Sequence, residues 1–158
     1  MAVQTRTTET TTYISERRHV GTRELGDFLR ASTQRLNEIA TALGGPTGVR
    51  TTIFHGPVSD EEDGDVQNAM PVRDDVTASD IAEPTILFIE PGCEQAYLRI
   101  TATQYEYPAI LGIYDELYGW LTHHGYTPCM APREILLAEP TTAGPTDEVC
   151  DVAVPFTR

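Results

Sequence analysis

Apolar positions recur along the chain with two different spacings, and the change from one to the other marks out its elements. From Glu94, EQAYLRITA alternates with a period of two, as a half-buried strand does. PAILGIYDELYGWLTHHG then carries apolar residues at 110, 113, 114, 117 and 121, the spacing of one helix face. Pro108 suits the first turn of that helix and Gly125 its end, with His123 and His124 placed for capping. Earlier, TYISERRHVG predicts a strand from Thr12. TRELGDFLRASTQRLNEIATALGG, with Leu25, Phe28, Leu29, Leu36, Ile39 and Leu43, predicts a helix stopping at Gly44-Gly45. Short strands are expected in VRTTIFHG (49–56), NAMPV (68–72), TILFIEPG (85–92), REILL (133–137) and VAVPF (152–156). Residues 1–10 are polar and read as a disordered lead.

The sequence overlays on itself at an offset of 84, which places Tyr13 on Tyr97, Leu36 on Trp120, Arg50 on Glu134 and Ala69 on Ala153. Each copy reads strand, helix, strand, strand. The expected organisation is a single domain over 11–158, with repeat one at 11–73, a polar linker at 74–84 and repeat two at 85–158. Two such pseudo-symmetric modules most simply join their strands into one curved antiparallel sheet, an α+β fold with two long helices on one face.

Strand parity sorts residues between the helix side and the opposite face. Taking Ile135 and Leu137 as helix-side turns Glu134 and Leu136 away from the helices. The same assignment puts Val49, Thr51 and Ile53 under the first helix, with Arg50, Thr52 and Phe54 opposite. Tyr13, Tyr97, Ala69 and Ala153 also fall on the opposite face. Aromatic walls around two alanines and one acid have the composition of a small-molecule site. A buried carboxylate there needs a hydrogen bond or a cation, and Arg50 is one candidate counter-charge. Trp120 reads either as core or as a pocket wall.

Charge changes the picture in one respect. The 24 acidic against 11 basic residues give a net charge of −13, a field that repels nucleic acid and anionic membranes and favours cations. Part of it sits in SDEEDGD (59–65), a solvated connection without the ligand alternation of a calcium loop. The composition, 40% hydrophobic and 22% charged, and the absence of a membrane-length apolar run predict a soluble cytoplasmic protein. Three cysteines at unrelated spacings predict neither disulfides nor zinc, the histidines lack ligand partners, and neither a metal nor a cofactor is expected.

The layout resembles the GyrI-like, or effector-binding, domains of MerR- and AraC-type multidrug-responsive activators. The resemblance rests on His19-Val20-Gly21 before the first helix, on Tyr114, Leu117, Trp120 and Leu121 in the second, on the strand Arg133-Glu134-Ile135 with Leu137, and on the closing strand Asp151 to Pro155. It implies a groove between the modules that binds lipophilic, often cationic aromatic compounds, with Glu134 as the central acidic contact. Tyr105 and Ala153 depart from the family pattern. With no DNA-binding segment expected ahead of the domain, the chain reads as a stand-alone binding or sequestering protein. The rival is a hydrolase of strained electrophilic natural products, as some similar domains are, with Glu134 as general base beside a tyrosine donor. A module that takes a protein segment is a third reading. Oligomeric state is not legible.

Overall fold

The computed structural model describes residues 2–158. Its elements in chain order are β1 (Gln4–Thr7), β2 (Thr11–Val20), α1 (Thr22–Ala42), β3 (Thr51–Phe54), β4 (Gly64–Pro71), β5 (Ile86–Glu90), β6 (Glu94–Thr101), α2 (Ala102–Tyr105), α3 (Ala109–His124), β7 (Thr127–Pro128), β8 (Arg133–Leu136) and β9 (Glu148–Thr157). The class is α+β with antiparallel strands, and two of the three helices are long. Two compact units divide the described residues. The first unit is Glu9–Gly92, and the second combines residues 2–8 with 93–158.

In the first unit the strand order is β3-β4-β2-β5. Buried residues of α1 recur every fourth position, Phe28, Ser32, Leu36 and Ala40, so one stripe faces the sheet. Leu36 and Ala40 pack with Ile14 and Met70, and Phe28 packs with Val20 and Val66. Burial of each such apolar side chain contributes about 1.5–3 kcal/mol. α1 begins at Gly21, whose N–H donates to the Glu24 carboxylate at 3.0 Å.

In the second unit the order is β1-β6-β9-β8, with β7 also on β9. Leu98, Ile100, Val152 and Val154 meet Ile113, Leu117 and Leu121 of α3 in one core. Gly125 ends α3 with φ 72°, a left-handed conformation that favours glycine. His124 Nδ1–H donates to the Trp120 carbonyl at 2.8 Å, capping the last turn.

Three sequence expectations change here. Residues 4–7, expected in a disordered lead, form β1, and strand 86–90, expected in repeat two, lies in the first unit beside β2. Each repeat's leading strand therefore edges the other repeat's sheet. The exchange keeps the 84-residue offset, since Gln4 pairs with Tyr97 and Phe88 with Tyr13. Elsewhere the offset drifts. Ile14 pairs with Met70 and Leu98 with Val152, so the closing strands correspond at 82, and Ala153 matches Pro71 instead of Ala69. The buried stripes Phe28, Ser32, Leu36 and Ile113, Leu117, Leu121 correspond at 85, so Leu36 matches Leu121 and not Trp120. Loops absorb such small length changes at little cost, whereas paired strands and packed helix faces do not.

Candidate functional site

Glu134 lies in β8 opposite Val152, and Leu136 lies opposite Cys150. Directly paired residues in an antiparallel ladder point to the same face. Val152 and Cys150 belong to the core under α3, so Glu134 faces the helix. There the Tyr114 hydroxyl donates to Glu134 Oε2 at 2.5 Å. Glu134 is only 6% exposed. Burial raises the Tyr114 hydroxyl's pKa well above its usual value of 10.0, and the charge and hydrogen bond of Glu134 raise it further. The pair therefore joins a phenol held in its donor form to an acid set in a largely apolar bed.

This corrects the parity reading of β8. Leu137, assigned inward, is 37% exposed. The cause is the run Ile135-Leu136-Leu137, which is apolar on both faces and carries no alternation. β3 is corrected in the same sense. Phe54 pairs with Val66 and packs beside Phe28, Thr52 pairs with Asn68 under α1, and Val49 is 43% exposed. Thr51 and Ile53, assigned inward, share the opposite face with Ala69 and Gln67.

The predicted set is thus divided. Glu134, Leu136, Phe54 and Arg50 lie on the helix side of their sheets. Tyr13, Tyr97, Ala69 and Ala153 lie on the other. Tyr13 stacks on Phe88 with centroids 5.0 Å apart. Tyr97 donates its hydroxyl to Gln4 Oε1 at 2.7 Å under the Arg6 guanidinium. Trp120 is half-buried among His124, Tyr126 and Phe156, at the C-terminal end of α3. Two surface depressions, one lined by Ala2, Gln4, Arg99 and Glu148 and the other including Thr12, Thr47 and Arg73, contain none of these residues. Among the described residues, no group of three or more His, Cys, Asp or Glu could hold a metal, and no helix is long and apolar enough to cross a membrane.

Under α1 the first unit is polar where the second is apolar. Fully buried Asn68 donates through Nδ2 to Ser32 Oγ at 2.8 Å and Thr33 Oγ1 at 2.9 Å. Glu16, 4% exposed, accepts from Arg35 Nε at 2.9 Å and Nη2 at 2.6 Å. Arg50 Nη1 donates to Thr52 Oγ1 at 3.2 Å and Asn68 Oδ1 at 3.3 Å. At the offsets of 82 to 85, the counterparts of Asn68, Glu16, Thr52 and Ser32 are Cys150, Ile100, Leu136 and Leu117. The counterpart of Arg50 is Glu134, so the charge at that position is inverted between the copies.

Sequence reasoning missed Tyr114 as a site residue although it lies on the predicted apolar stripe. A tyrosine there buries its ring and must find an acceptor for its hydroxyl, and a strand acid is the natural one.

No family model and no curated protein sequence matches the chain. Solved structures do. The C-terminal domain of EcmrR aligns with a TM-score of 0.73 at 16% identity, over 99% of this chain and 98% of that one. In the EcmrR–DNA complex the TM-score is 0.76 at 16% identity over 98% of this chain, which spans 57% of the EcmrR chain. A hydrolase from Listeria innocua aligns with a TM-score of 0.73 at 12% identity, over 98% and 91% of the two chains. SAV2435 bound to tetraphenylphosphonium aligns with a TM-score of 0.64 at 14% identity, over 99% and 94%. At 12–16% identity these likenesses show the fold alone, which this chain shares with the EcmrR C-terminal domain and SAV2435.

Proposed function

We propose that the protein binds small lipophilic molecules, cationic aromatic ones above all, and that Glu134 supplies the acidic contact. The observation that carries this reading is the Glu134 carboxylate, 6% exposed, facing α3 and hydrogen-bonded by Tyr114. A carboxylate in such surroundings gains more from an incoming cation than it would in water, because the effective dielectric is lower. Apolar side chains around it reward a ligand that brings its own aromatic surface. SAV2435, which shares the fold, was solved with tetraphenylphosphonium, a cation of that chemistry. The chain's net charge of −13 favours the same sign of ligand. A ligand that reaches Glu134 shares its carboxylate with Tyr114 or displaces the hydroxyl.

The test compares tetraphenylphosphonium with neutral triphenylphosphine oxide by titration calorimetry. Glu134→Gln is expected to weaken the cation roughly tenfold or more and the neutral compound little. Equal loss for both compounds removes the electrostatic role.

A second reading has a specific observation behind it. Tyr114 and Glu134 place a carboxylate and a protonated phenol in one hydrogen bond, the pair a hydrolase of strained electrophiles would use, and a Listeria innocua hydrolase shares the fold. Glu134 would take the proton of an attacking water, and Tyr114 would donate to the negative charge that develops as the ring bond breaks. Incubation with an electrophilic cyclopropane separates the two readings. Hydrated product that disappears in Glu134→Gln favours the enzyme, and unchanged ligand recovered in stoichiometric amount favours the binder.

A further inference from the structure

We infer that Arg50 is a recognition site for an anionic group of a small molecule, with a planar carboxylate the best fit. The inference rests on the reading of the protein as a small-molecule binder and concerns the first unit. The chain has eleven basic residues, all arginine, and among the described residues Arg6, Arg17, Arg30, Arg35, Arg73, Arg99 and Arg158 each hold a carboxylate in an ion pair, while buried Arg133 donates to the Ala131 carbonyl. Arg18 and Arg23 are exposed. Arg50 is different. It is half-buried, and its protein hydrogen bonds among the described residues run from Nη1 to two neutral acceptors, Thr52 Oγ1 and Asn68 Oδ1. Among the described residues no carboxylate forms an ion pair with it, in a protein whose sequence carries 24 Asp and Glu.

The surroundings hold that arrangement in place. Asn68 is fully buried and its amide nitrogen is committed to Ser32 and Thr33, which turns the amide oxygen toward Arg50. Glu16, the buried acid on the same face, is gripped from both oxygens by Arg35 and so does not serve Arg50. The hydroxyl and amide oxygen orient the guanidinium through one nitrogen and leave its Nε and Nη2 donors to an incoming group. Two donors on one edge of a planar guanidinium match the two oxygens of a carboxylate, the strongest charge-assisted geometry open to arginine. The inversion of Glu134 to Arg50 between the copies adds a separate observation. One duplicated position carries an acid in an apolar bed, and the other carries a base in a polar one, so the position in the first unit is built for the opposite charge.

Rhodamine B, a zwitterion with a carboxylate, and its ethyl ester, a cation on the same skeleton, are the probes, with Kd read by fluorescence anisotropy. Arg50→Gln keeps a donor for Thr52 and Asn68 but removes the charge and the fork. It is expected to weaken rhodamine B about tenfold and leave the ester unchanged, with Arg50→Lys in between. Unaltered rhodamine B affinity overturns the inference. So does equal weakening of both dyes, which marks a packing effect, and circular dichroism melts identify a variant that fails to fold. Where Arg50→Gln is silent but the ester still depends on Glu134, only the role of Arg50 falls. If neither dye binds the parent protein, the inference and the binding reading fall together.

Discussion

Replacing Tyr114 with phenylalanine keeps the ring in the core under α3 and deletes only the donor to Glu134 Oε2. A hydrogen bond to a charged group contributes about 1.5–3 kcal/mol, and here its loss leaves a carboxylate that is 6% exposed with one donor fewer. We expect Tyr114→Phe to lose about 2 kcal/mol at pH 8, a fall in Tm of about 4–8 °C for a domain of this size. The pH dependence adds a signature that a simple packing defect lacks. Burial, and then the Glu134 charge and hydrogen bond, raise the Tyr114 pKa above 10.0 in the fold. A raised pKa means that the folded state holds the proton more tightly than the unfolded chain does. The corresponding stability is fully present below the unfolded pKa, about 10, and is lost as pH rises through the folded value. Urea midpoints at pH 8 and pH 11 should therefore fall more steeply for the parent than for Tyr114→Phe. Tyr118, which burial also raises, is common to both proteins and cancels in the comparison. A double-mutant cycle with Glu134→Gln should give a coupling of at least about 1 kcal/mol. Unchanged stability at pH 8 with the same alkaline slope would refute the claim that Tyr114 secures Glu134.

The ion cluster on β9 and the start of β4 give two further tests. Asp151, 1% exposed, is pushed up by burial, but hydrogen bonds from Arg99 and Arg6 outweigh this and hold its pKa below the usual carboxylate value. Its stabilisation is present above the unfolded pKa and lost as pH falls through the lowered folded value. Asp151→Asn should cost about 2 kcal/mol at neutral pH, less than a fully buried pair because both arginines stay partly exposed, and should flatten the acid limb of a pH–Tm curve. It should also speed amide exchange in β1, which Arg6 ties to β9. Gly64→Ala should lower Tm clearly, by about 1–3 kcal/mol of overpacking, because a Cβ there would sit 2.5 Å from the Pro57 carbonyl oxygen and 2.8 Å from that of Gly56. A melt matching the parent's would show that the 56–64 turn yields.

Long periodic segments were legible because a helix face repeats over several turns. The α3 stripe was read from Ile110 to Leu121, and the buried residues of α3 are Ile110, Ile113, Leu117 and Leu121. The duplication was legible for the same reason, and it holds in the pairing of Gln4 with Tyr97 and of Phe88 with Tyr13. Four-residue strands were another matter. In β8 and β3 the side-chain pattern does not distinguish the faces, and the assignments of Glu134, Leu136, Phe54 and Arg50 were inverted together. The lead at 4–7 looked disordered because polar residues carry no burial signal, although backbone pairing and the Arg6–Asp151 contact are enough to place it.

The sequence by itself determined that this chain is a duplicated α+β protein with two amphipathic helices and one conspicuous strand acid, since the helices depend on neighbours within a few turns and the duplication on a constant offset along the chain. Only the tertiary structure decided that the acid faces α3 and is met by Tyr114, that the leading strands are exchanged, and that Arg50 lies on neutral acceptors. Apart from Thr52 beside Arg50, the partners lie between about 18 and 93 positions away, and their register is chosen by the packing of whole faces and leaves no trace in local alternation.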